Sequence, residues 1–292
     1  MAKLTIVTPT FNRAHTLPRC YDSLLKQTCW DFEWIIVDDG STDNTQDVIS
    51  GFDTDLFPVI KIRKENGGKH TALNASHPYI HGDYVLILDS DDYLTDTAVN
   101  EVLSGWSVYR EEMTVGILAF LKGTSESEPV CTVADYETPV EVLRYRRQSR
   151  IGNDCCEVIR TEIFLKYPFP VYEGEKFISE CALWNRAGRD YKCVYIDSVI
   201  YLCEYMEDGL TRSGRSMCIR NPKGGMYTSN LRMDRRNYFG QRCKYALLYT
   251  CYGHFAHKGF RQQMKETDYP ILAAVCYPFG LLLYLLWNRK YR

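Results

Sequence analysis

Within the first ninety residues, four short runs rich in β-branched and aliphatic residues each break off into a polar cluster. The runs are Leu4–Thr8, Glu33–Val37, Val59–Arg63 and Tyr84–Leu88, and a fifth follows at Val115–Leu121. Longer amphipathic stretches fill the gaps near Thr16–Gln27, Thr42–Ser50, Lys69–Ala75 and Thr95–Val108. This alternation predicts βαβ units and a mostly parallel, doubly wound α/β sheet of Rossmann-like type. Several of the helices open on plausible caps, such as Ser41 or Thr42 after a glycine and Thr95 before Asp96.

In an open parallel sheet the ligand crevice lies beyond the carboxyl ends of the strands. Those positions are polar here. The first strand yields Thr8-Pro9-Thr10-Phe11-Asn12-Arg13, the second Asp38-Asp39-Gly40-Ser41, the third Glu65-Asn66-Gly67-Gly68-Lys69 and the fourth Asp89-Ser90-Asp91-Asp92. All four segments are expected on one rim.

The fourth segment carries the strongest chemical signal, because three carboxylates fall within four residues of an apolar strand. Like charges that close repel unless a cation or a donor lies among them. An oxygen-seeking divalent ion, Mg²⁺ or Mn²⁺, that also bridges to phosphate oxygens is the usual resolution. A helix cap from Asp91 or Asp92 explains one carboxylate but not three. Gly67-Gly68 before Lys69 allows backbone amides to approach a nucleotide, although an Asn-Gly turn explains the glycines equally well. Asp38 ends a hydrophobic strand, where burying its charge is costly without a donor such as a base N–H.

Composition bounds the reading. A chain of 292 residues that is 45% apolar can bury a large core, which excludes disorder and a disulfide-stapled miniature. A net charge of −2 leaves no footprint for nucleic acid as the main partner. The 12 cysteines are scattered apart from Cys155-Cys156 and form no C-x-x-C pair, so reduced buried thiols are expected. The N-terminus enters a strand at once, without a charged and apolar leader, which predicts a cytoplasmic chain.

From about Glu128 to Asp208 the pattern is mixed, with extended pieces at Val130–Val133, Glu157–Arg160 and Lys192–Leu202 and a helix expected at Lys176–Ala187. No proline- or serine-rich linker separates this part from the first, so the two read as one domain. After Leu210 the composition turns basic and aromatic with helical spacing, and no internal repeat is visible.

Taken in order, Thr-Pro-Thr-Phe-Asn, Val-Asp-Asp-Gly-Ser-Thr-Asp, Asn-Gly-Gly-Lys with Ala-Leu-Asn, and Asp-Ser-Asp-Asp resemble family 2 glycosyltransferases of the A-type nucleotide-sugar fold. The resemblance covers about the first hundred residues, and the joint match is far more specific than any one motif. It implies a catalytic domain over residues 1–210, with a nucleotide-sugar half at 1–122 and an acceptor half at 123–210, followed by a helical region at 211–292. It further implies that Pro9, Thr10, Asn12, Asp38 or Asp39, Gly68 and Lys69 contact the nucleotide. Asp89 is implied to approach the ribose, and Asp91 with Asp92 to hold Mn²⁺ or Mg²⁺ on the diphosphate.

The segment Glu173-Gly-Glu175-Lys-Phe-Ile-Ser-Glu180-Cys-Ala-Leu-Trp184 resembles the family's Glu-Asp pair followed by a tryptophan. Counting back four from Trp184 puts Glu180 on the position of the general base, where the family has Asp; Glu175 is the alternative. A solvated Glu180 paired with Arg186 or Lys176 is the bland reading. Tyr205–Arg215 resembles a loop that many members place after the base, with Gly209 and Gly214 as hinges and Arg212 or Arg215 available to the diphosphate. The Gln-x-x-Arg-Trp sequence of processive synthases is missing, which implies one sugar per encounter.

From Tyr269 to Asn288 no charge appears, and Arg289-Lys290-Tyr291-Arg292 closes the chain. The stretch from Ile271 to Trp287 is nearly long enough to span a bilayer, with Pro278 and Gly280 interrupting it. Burial, an interfacial anchor and a short span all fit, and peripheral attachment at the cytoplasmic face of a membrane is favoured because residues 241–265 are rich in basic and aromatic side chains. The expected function is an inverting, metal-dependent, non-processive transfer of a sugar from a nucleotide donor, such as a UDP-sugar, to a glycan or lipid-linked glycan. Two rivals remain at this point: a sugar-phosphate nucleotidyltransferase, which normally carries a Gly-rich basic loop where Pro9-Thr10-Phe11-Asn12 stands, and a nucleotide-sugar binding protein without turnover.

Overall fold

The computed structural model describes residues 3–130, 132–133, 136–142, 155–203 and 210–291, with the side chains of 210–213 excepted. The chain folds as two compact units, residues 1–168 with 187–205 and residues 169–186 with 206–292.

The first unit is built on nine strands among the described residues. They are β1 (Leu4–Thr10), β2 (Phe32–Asp38), β3 (Val59–Arg63), β4 (Tyr84–Ile87), β5 (Tyr93–Leu94), β6 (Val115–Ser125), β7 (Glu128–Pro129), β8 (Cys156–Arg160) and β9 (Lys192–Leu202). The order is β3-β2-β1-β4-β8-β6-β9-β5, with β7 added to β6. The first four strands are parallel, and β8 runs antiparallel between β4 and β6. β9 returns parallel to β6, so the sheet is mostly parallel with a mixed second half, as the sequence predicts.

Side-chain alternation in the strands builds the core. Leu4 and Ile6 of β1, Phe32, Trp34 and Ile36 of β2, and Leu86 of β4 are buried in one cluster. That cluster also takes Leu17, Cys20 and Leu24 from α1 (Leu17–Leu25), Ile49 from α2 (Thr45–Ser50) and Val99, Val102 and Trp106 from α4 (Ala98–Tyr109). The helix α3 (Lys69–Ser76) packs on β1 and β2, and α5 (Thr161–Lys166) packs on β4 and β8. Burying side chains of this size removes on the order of 2 kcal/mol each from water contact.

Helix starts shift from the expected positions for local reasons. α2 begins at Thr45, not Thr42, because the amides of Thr42 and Asp43 donate to the Asn12 Oδ1. α4 begins at Ala98, not Thr95, because Leu94 pairs with Tyr201 and the Thr95 amide donates to the Ile200 carbonyl. The extended piece expected at Val130–Val133 belongs to no strand among the described residues.

The second unit contains α6 (Cys181–Asp190), whose last residues belong to the first unit, and then α7 (Leu210–Arg220), α8 (Pro222–Arg232), α9 (Phe239–Phe255), α10 (Phe260–Glu266) and α11 (Pro270–Tyr291). The helix expected from Lys176 starts five residues later. The Lys176 amide donates to Asn221 Oδ1 at 2.7 Å, and Glu175 turns its carboxylate to α8, which holds the chain out of helical geometry. Residues expected as a glycine-hinged loop up to Arg215 are instead helical from Leu210, with Cys218 and Ile219 packed on a cluster formed by α8, α9 and α11. Residues 204–209, which include Gly209, lie outside the described residues, as does the Arg212 side chain. Pro278 does not interrupt α11, which is one helix of 22 residues.

Candidate active site

The carboxyl ends of β1 to β4 are cross-linked into one rim by side chains from neighbouring segments. Pro9 is tolerated in a central strand because it lies past the last β1–β4 pair, Val7 with Ile87, so no ladder donor is lost there. Thr10, the final residue of β1, accepts the Asp39 amide at its carbonyl at 2.8 Å. Its buried hydroxyl has no hydrogen-bond partner among the described residues.

Asn12 adopts φ 54, a left-handed conformation that Asn tolerates better than most residues. Its amide donates to the Ser41 Oγ at 2.9 Å and its Oδ1 accepts the Thr42 amide at 2.8 Å. The side chain expected at the nucleotide therefore binds the loop after β2 to the loop after β1.

Asp38 and Asp39 separate clearly in their surroundings. Asp39 is buried and accepts Lys64 Nζ at 2.6 Å, the Gly67 amide at 3.0 Å, the Gly68 amide at 2.6 Å and Asn66 Nδ2 at 3.3 Å. Gly40 has φ +76, and a Cβ there would meet the Asn66 amide nitrogen at 2.8 Å, so only glycine lets the two loops close on each other. Asp38 accepts the Ser41 amide on Oδ1 at 2.9 Å. Its Oδ2 is buried, faces Arg63 Nε at 3.6 Å and accepts no hydrogen bond among the described residues. Asp39 organises the loop after β3, while Asp38 keeps an acceptor in reserve.

Gly68, at φ 92, precedes α3, and Lys69 opens that helix. The Lys69 Nζ is paired with Asp89 Oδ1. Burial pushes the Asp89 carboxyl up, but Lys69, Lys122 and Arg13 more than reverse this and hold it below the usual carboxylate range. The two residues, assigned separately to nucleotide and ribose in the sequence, neutralise each other here.

The three carboxylates after β4 have three different partners. Asp91 Oδ2 lies 3.7 Å from Arg13 Nε, and its carbonyl accepts an Arg19 guanidinium N–H at 2.6 Å. Asp92 Oδ2 accepts the Tyr201 hydroxyl at 2.8 Å, and the Asp89 amide donates to the same phenol oxygen at 3.0 Å. Lys122 Nζ sits 4.2 Å from the centre of the Tyr201 ring. Burial, and then the Asp89 charge, push the Asp92 carboxyl up to about 7 against the Tyr201 hydrogen bond.

Among the described residues no three His, Cys, Asp or Glu groups converge to hold a metal by themselves. The repulsion inferred from the sequence is relieved in part by Arg13, Lys69 and Tyr201, and not by a metal alone. The donor set nevertheless fits a divalent cation. Asp91 and Asp92 offer only hard oxygen atoms, and a carboxyl raised by burial and by its acidic neighbours is one that added positive charge would keep ionised. The remaining ligands would then be phosphate oxygens and water.

Glu180 belongs to the second unit and immediately precedes α6, where its carbonyl accepts the Leu183 amide at 2.9 Å and the Trp184 amide at 3.4 Å. Trp184 is buried. The alternative base, Glu175, accepts the Lys223 amide at 2.8 Å and the Gly224 amide at 2.9 Å, which caps the first turn of α8 and occupies both its oxygens. Arg215 stacks over Trp287, with its guanidinium carbon 4.6 Å from the ring centre.

Sequence reasoning placed Arg13 on the rim without a role there, and missed Arg19, Lys64 and Tyr201 as members of it. Tyr201 is a phenol in an otherwise aliphatic stretch of β9, but nothing in the local spacing ties it or Arg13 to residue 91 or 92.

The model of glycosyl transferase family 2 matches residues 5–166. The chain belongs to this family. Chondroitin synthase of Pasteurella multocida is 44% identical over 96 residues, which cover 33% of this chain and 10% of the synthase. Across such curated relatives the match spans 10% to 36% of their own length. Residues 1–349 of Staphylococcus aureus TarS superimpose with a TM-score of 0.67 at 14% identity, covering 99% of this chain and 93% of that one. The same TarS fragment in complex with UDP-GlcNAc gives 0.64 at 15% identity, over 99% of this chain and 93% of that one. A mannosyltransferase of Pyrobaculum calidifontis in complex with GDP-Man and Mn²⁺ gives 0.58 at 16% identity, over 99% of this chain and 83% of that one. The A-type glycosyltransferase fold expected from the sequence is the fold observed.

Proposed function

We propose that this chain moves a sugar from a nucleotide donor to a hydroxyl of a glycan or lipid-linked glycan, with inversion and one sugar per encounter. The observation that carries the reading is the pairing of a cross-linked rim with two buried polar atoms that make no hydrogen bond among the described residues, Asp38 Oδ2 and Thr10 Oγ1, on residues that register opposite each other on β1 and β2. A buried acceptor without a donor is costly unless a ligand supplies one.

Asp38 Oδ2 would accept a ring N–H of the base, and the Thr10 hydroxyl would donate to an adjacent carbonyl. Uracil presents that N–H beside a carbonyl and cytosine does not, so a UDP-sugar is favoured over a cytidine donor. Lys69 would exchange Asp89 for a phosphate oxygen, which frees Asp89 to accept a ribose hydroxyl. Gly68 brings backbone close to the nucleotide, and the Arg212 side chain is assigned to the diphosphate on sequence grounds. Asp91 and Asp92 would hold the Mn²⁺ or Mg²⁺. When bound, such an ion stabilises the charge that develops on the leaving diphosphate.

In the transfer, an acceptor oxygen forms a bond to the anomeric carbon as the bond from that carbon to the diphosphate oxygen breaks. The acceptor proton passes to the Glu180 carboxylate, and the nucleoside diphosphate departs. A single displacement of this kind inverts the anomeric centre. Glu180 is preferred to Glu175 for this role because each Glu175 oxygen already accepts an amide of α8. The exposed apolar face of α11 supports peripheral attachment to a membrane, with the cytoplasmic face the one expected from the sequence.

The test is calorimetric binding of UDP, GDP and CDP with and without Mn²⁺, followed by donor turnover with the matching sugars. UDP binding that strengthens with Mn²⁺, turnover lost in Asp91→Asn, and transfer but not donor binding lost in Glu180→Gln are expected. A protein that binds no nucleoside diphosphate in either condition overturns the reading, and sugar-nucleotide formation from a sugar phosphate and a nucleoside triphosphate would replace it with the nucleotidyltransferase.

A further inference from the structure

α11 has two apolar faces, and among the described residues only one of them is covered by protein. On the covered face, Ala273 lies in the buried cluster with Tyr249 and Tyr252, and Trp287 lies 6.2 Å from Tyr252, centre to centre. Gly280 meets α9 so closely that a Cβ would stand 2.8 Å from Thr250 Cβ. On the opposite face, Ile271, Val275, Phe279, Leu282 and Leu286 repeat at helical spacing and are exposed, Ile271 to 83% and Phe279 to 63%. A stripe of five large apolar side chains over four turns is more than the scattered exposure normal for a soluble surface.

Charge in the same part of the chain is one-sided. Residues 239–292 carry eight lysines and arginines against two acidic residues, Glu266 and Asp268, although the whole chain has a net charge of −2. Lys244, Arg261, Lys265, Arg289 and Lys290 are exposed. Phe239 and Phe260 are exposed aromatic residues of the same unit, the residue type that suits a boundary between water and hydrocarbon.

We infer that α11 lies flat in the surface of an anionic lipid bilayer, with the Ile271–Leu286 stripe toward the acyl chains, and does not cross it. Length and hydropathy alone would allow a span, since the helix has 22 residues and a mean hydropathy of 1.8 over its most apolar window. Packing decides against it. Crossing would pull Gly280 from Thr250 and Trp287 from Tyr252 and would place Thr250, whose hydroxyl is bonded within α9, against a vacated groove. Lying flat keeps those contacts and covers only the side that lacks them. The basic residues then meet lipid phosphates instead of a neutral surface. This deepens the peripheral attachment proposed above and rests on it.

The experiment is co-sedimentation of the full chain, without donor or acceptor, with phosphatidylcholine vesicles and with vesicles containing about one third phosphatidylglycerol. Binding to the anionic vesicles, at least about tenfold weaker at 0.5 M salt and released by alkaline carbonate, is expected. Phe279→Asp with Leu282→Asp should weaken it at least about tenfold while leaving the melting temperature and nucleotide binding unchanged, because both side chains are exposed. Arg289→Glu with Lys290→Glu should remove much of the preference for anionic lipid. Failure to bind either vesicle overturns the inference, as does binding that survives carbonate, which marks a span. A monomer-to-dimer shift abolished by the same apolar substitutions also overturns it, in favour of a second copy on this face. Because no nucleotide is present, these failures are separate from failure of the catalytic reading.

Discussion

Replacing Asp38 and Asp39 singly with asparagine separates recognition from architecture at adjacent positions. Asp39 accepts four donors from Lys64, Asn66, Gly67 and Gly68, two of them at 2.6 Å, and its partner Lys64 is itself mostly buried. Asparagine keeps the volume but removes the charge and turns an N–H₂ toward donors. Breaking one side of a buried charge pair costs about 3–5 kcal/mol, so Asp39→Asn should lower the melting temperature by roughly 6–15 °C. Asp38→Asn retains the Oδ1 bond to the Ser41 amide and loses a 3.6 Å approach to an arginine that is more than half exposed, worth about 1 kcal/mol or less. Its effect should fall on the nucleotide. One charge-assisted hydrogen bond of about 1.5–3 kcal/mol corresponds to a loss of roughly 10- to 100-fold in UDP affinity. Differential scanning fluorimetry and isothermal titration calorimetry read the two effects independently. If Asp39→Asn melts like the wild type and loses UDP, while Asp38→Asn keeps UDP, the two aspartates have the opposite roles.

Three other contacts can be tested in the same way. Tyr201→Phe removes the oxygen that joins the Asp89 amide to the Asp92 carboxylate; two buried groups then lack a partner, at a cost of about 2–4 kcal/mol by urea denaturation, and Mn²⁺-dependent UDP binding should weaken severalfold. Glu175→Gln should loosen the start of α8 and cost about 1 kcal/mol without abolishing transfer, whereas Glu180→Gln should abolish transfer; equal losses in kcat would refute the division of labour. His70 is buried, and burial drives its imidazole from 6.5 down to about 4, with Asp39 opposing and Lys64 adding. Its folded pKa lies below the unfolded one, so the unfolded chain binds the extra proton between pH 6.5 and 4 and stability falls as pH drops through that window. Compared with His70→Gln, the wild type should lose about 2 kcal/mol between pH 7 and pH 5. Asp92, raised to about 7, acts with the opposite sign in both proteins and cancels in the comparison.

The parallel half of the sheet was legible because its determinants are local: each of the first four strands is a β-branched run, and each begins within two residues of its expected start. The rim was legible as a set of positions, since every strand end carries polar residues, but not as a set of roles. Whether Asp38 or Asp39 faces the ligand depends on donors that lie 25 to 29 residues downstream. Tyr201 reaches residue 92 across 109 positions, a relation fixed by how β9 returns beside β6 and not by any spacing in the chain. Pro278 and Gly280 read as interruptions because proline removes a helix donor and glycine weakens a helix. In the fold, Gly280 is what allows α11 to approach Thr250, and the helix persists.

The convergence of four donors on Asp39 has a consequence for how a ligand would be received. Ordering Asn66, Gly67 and Gly68 is accomplished when the chain folds, so the entropy of immobilising that loop does not reappear at association. The Lys69–Asp89 pair is different in kind, since on the proposed reading its two members trade each other for phosphate and ribose. One side of the crevice is thus rigid in advance, and the other would act as a latch that opens only once a base has been received.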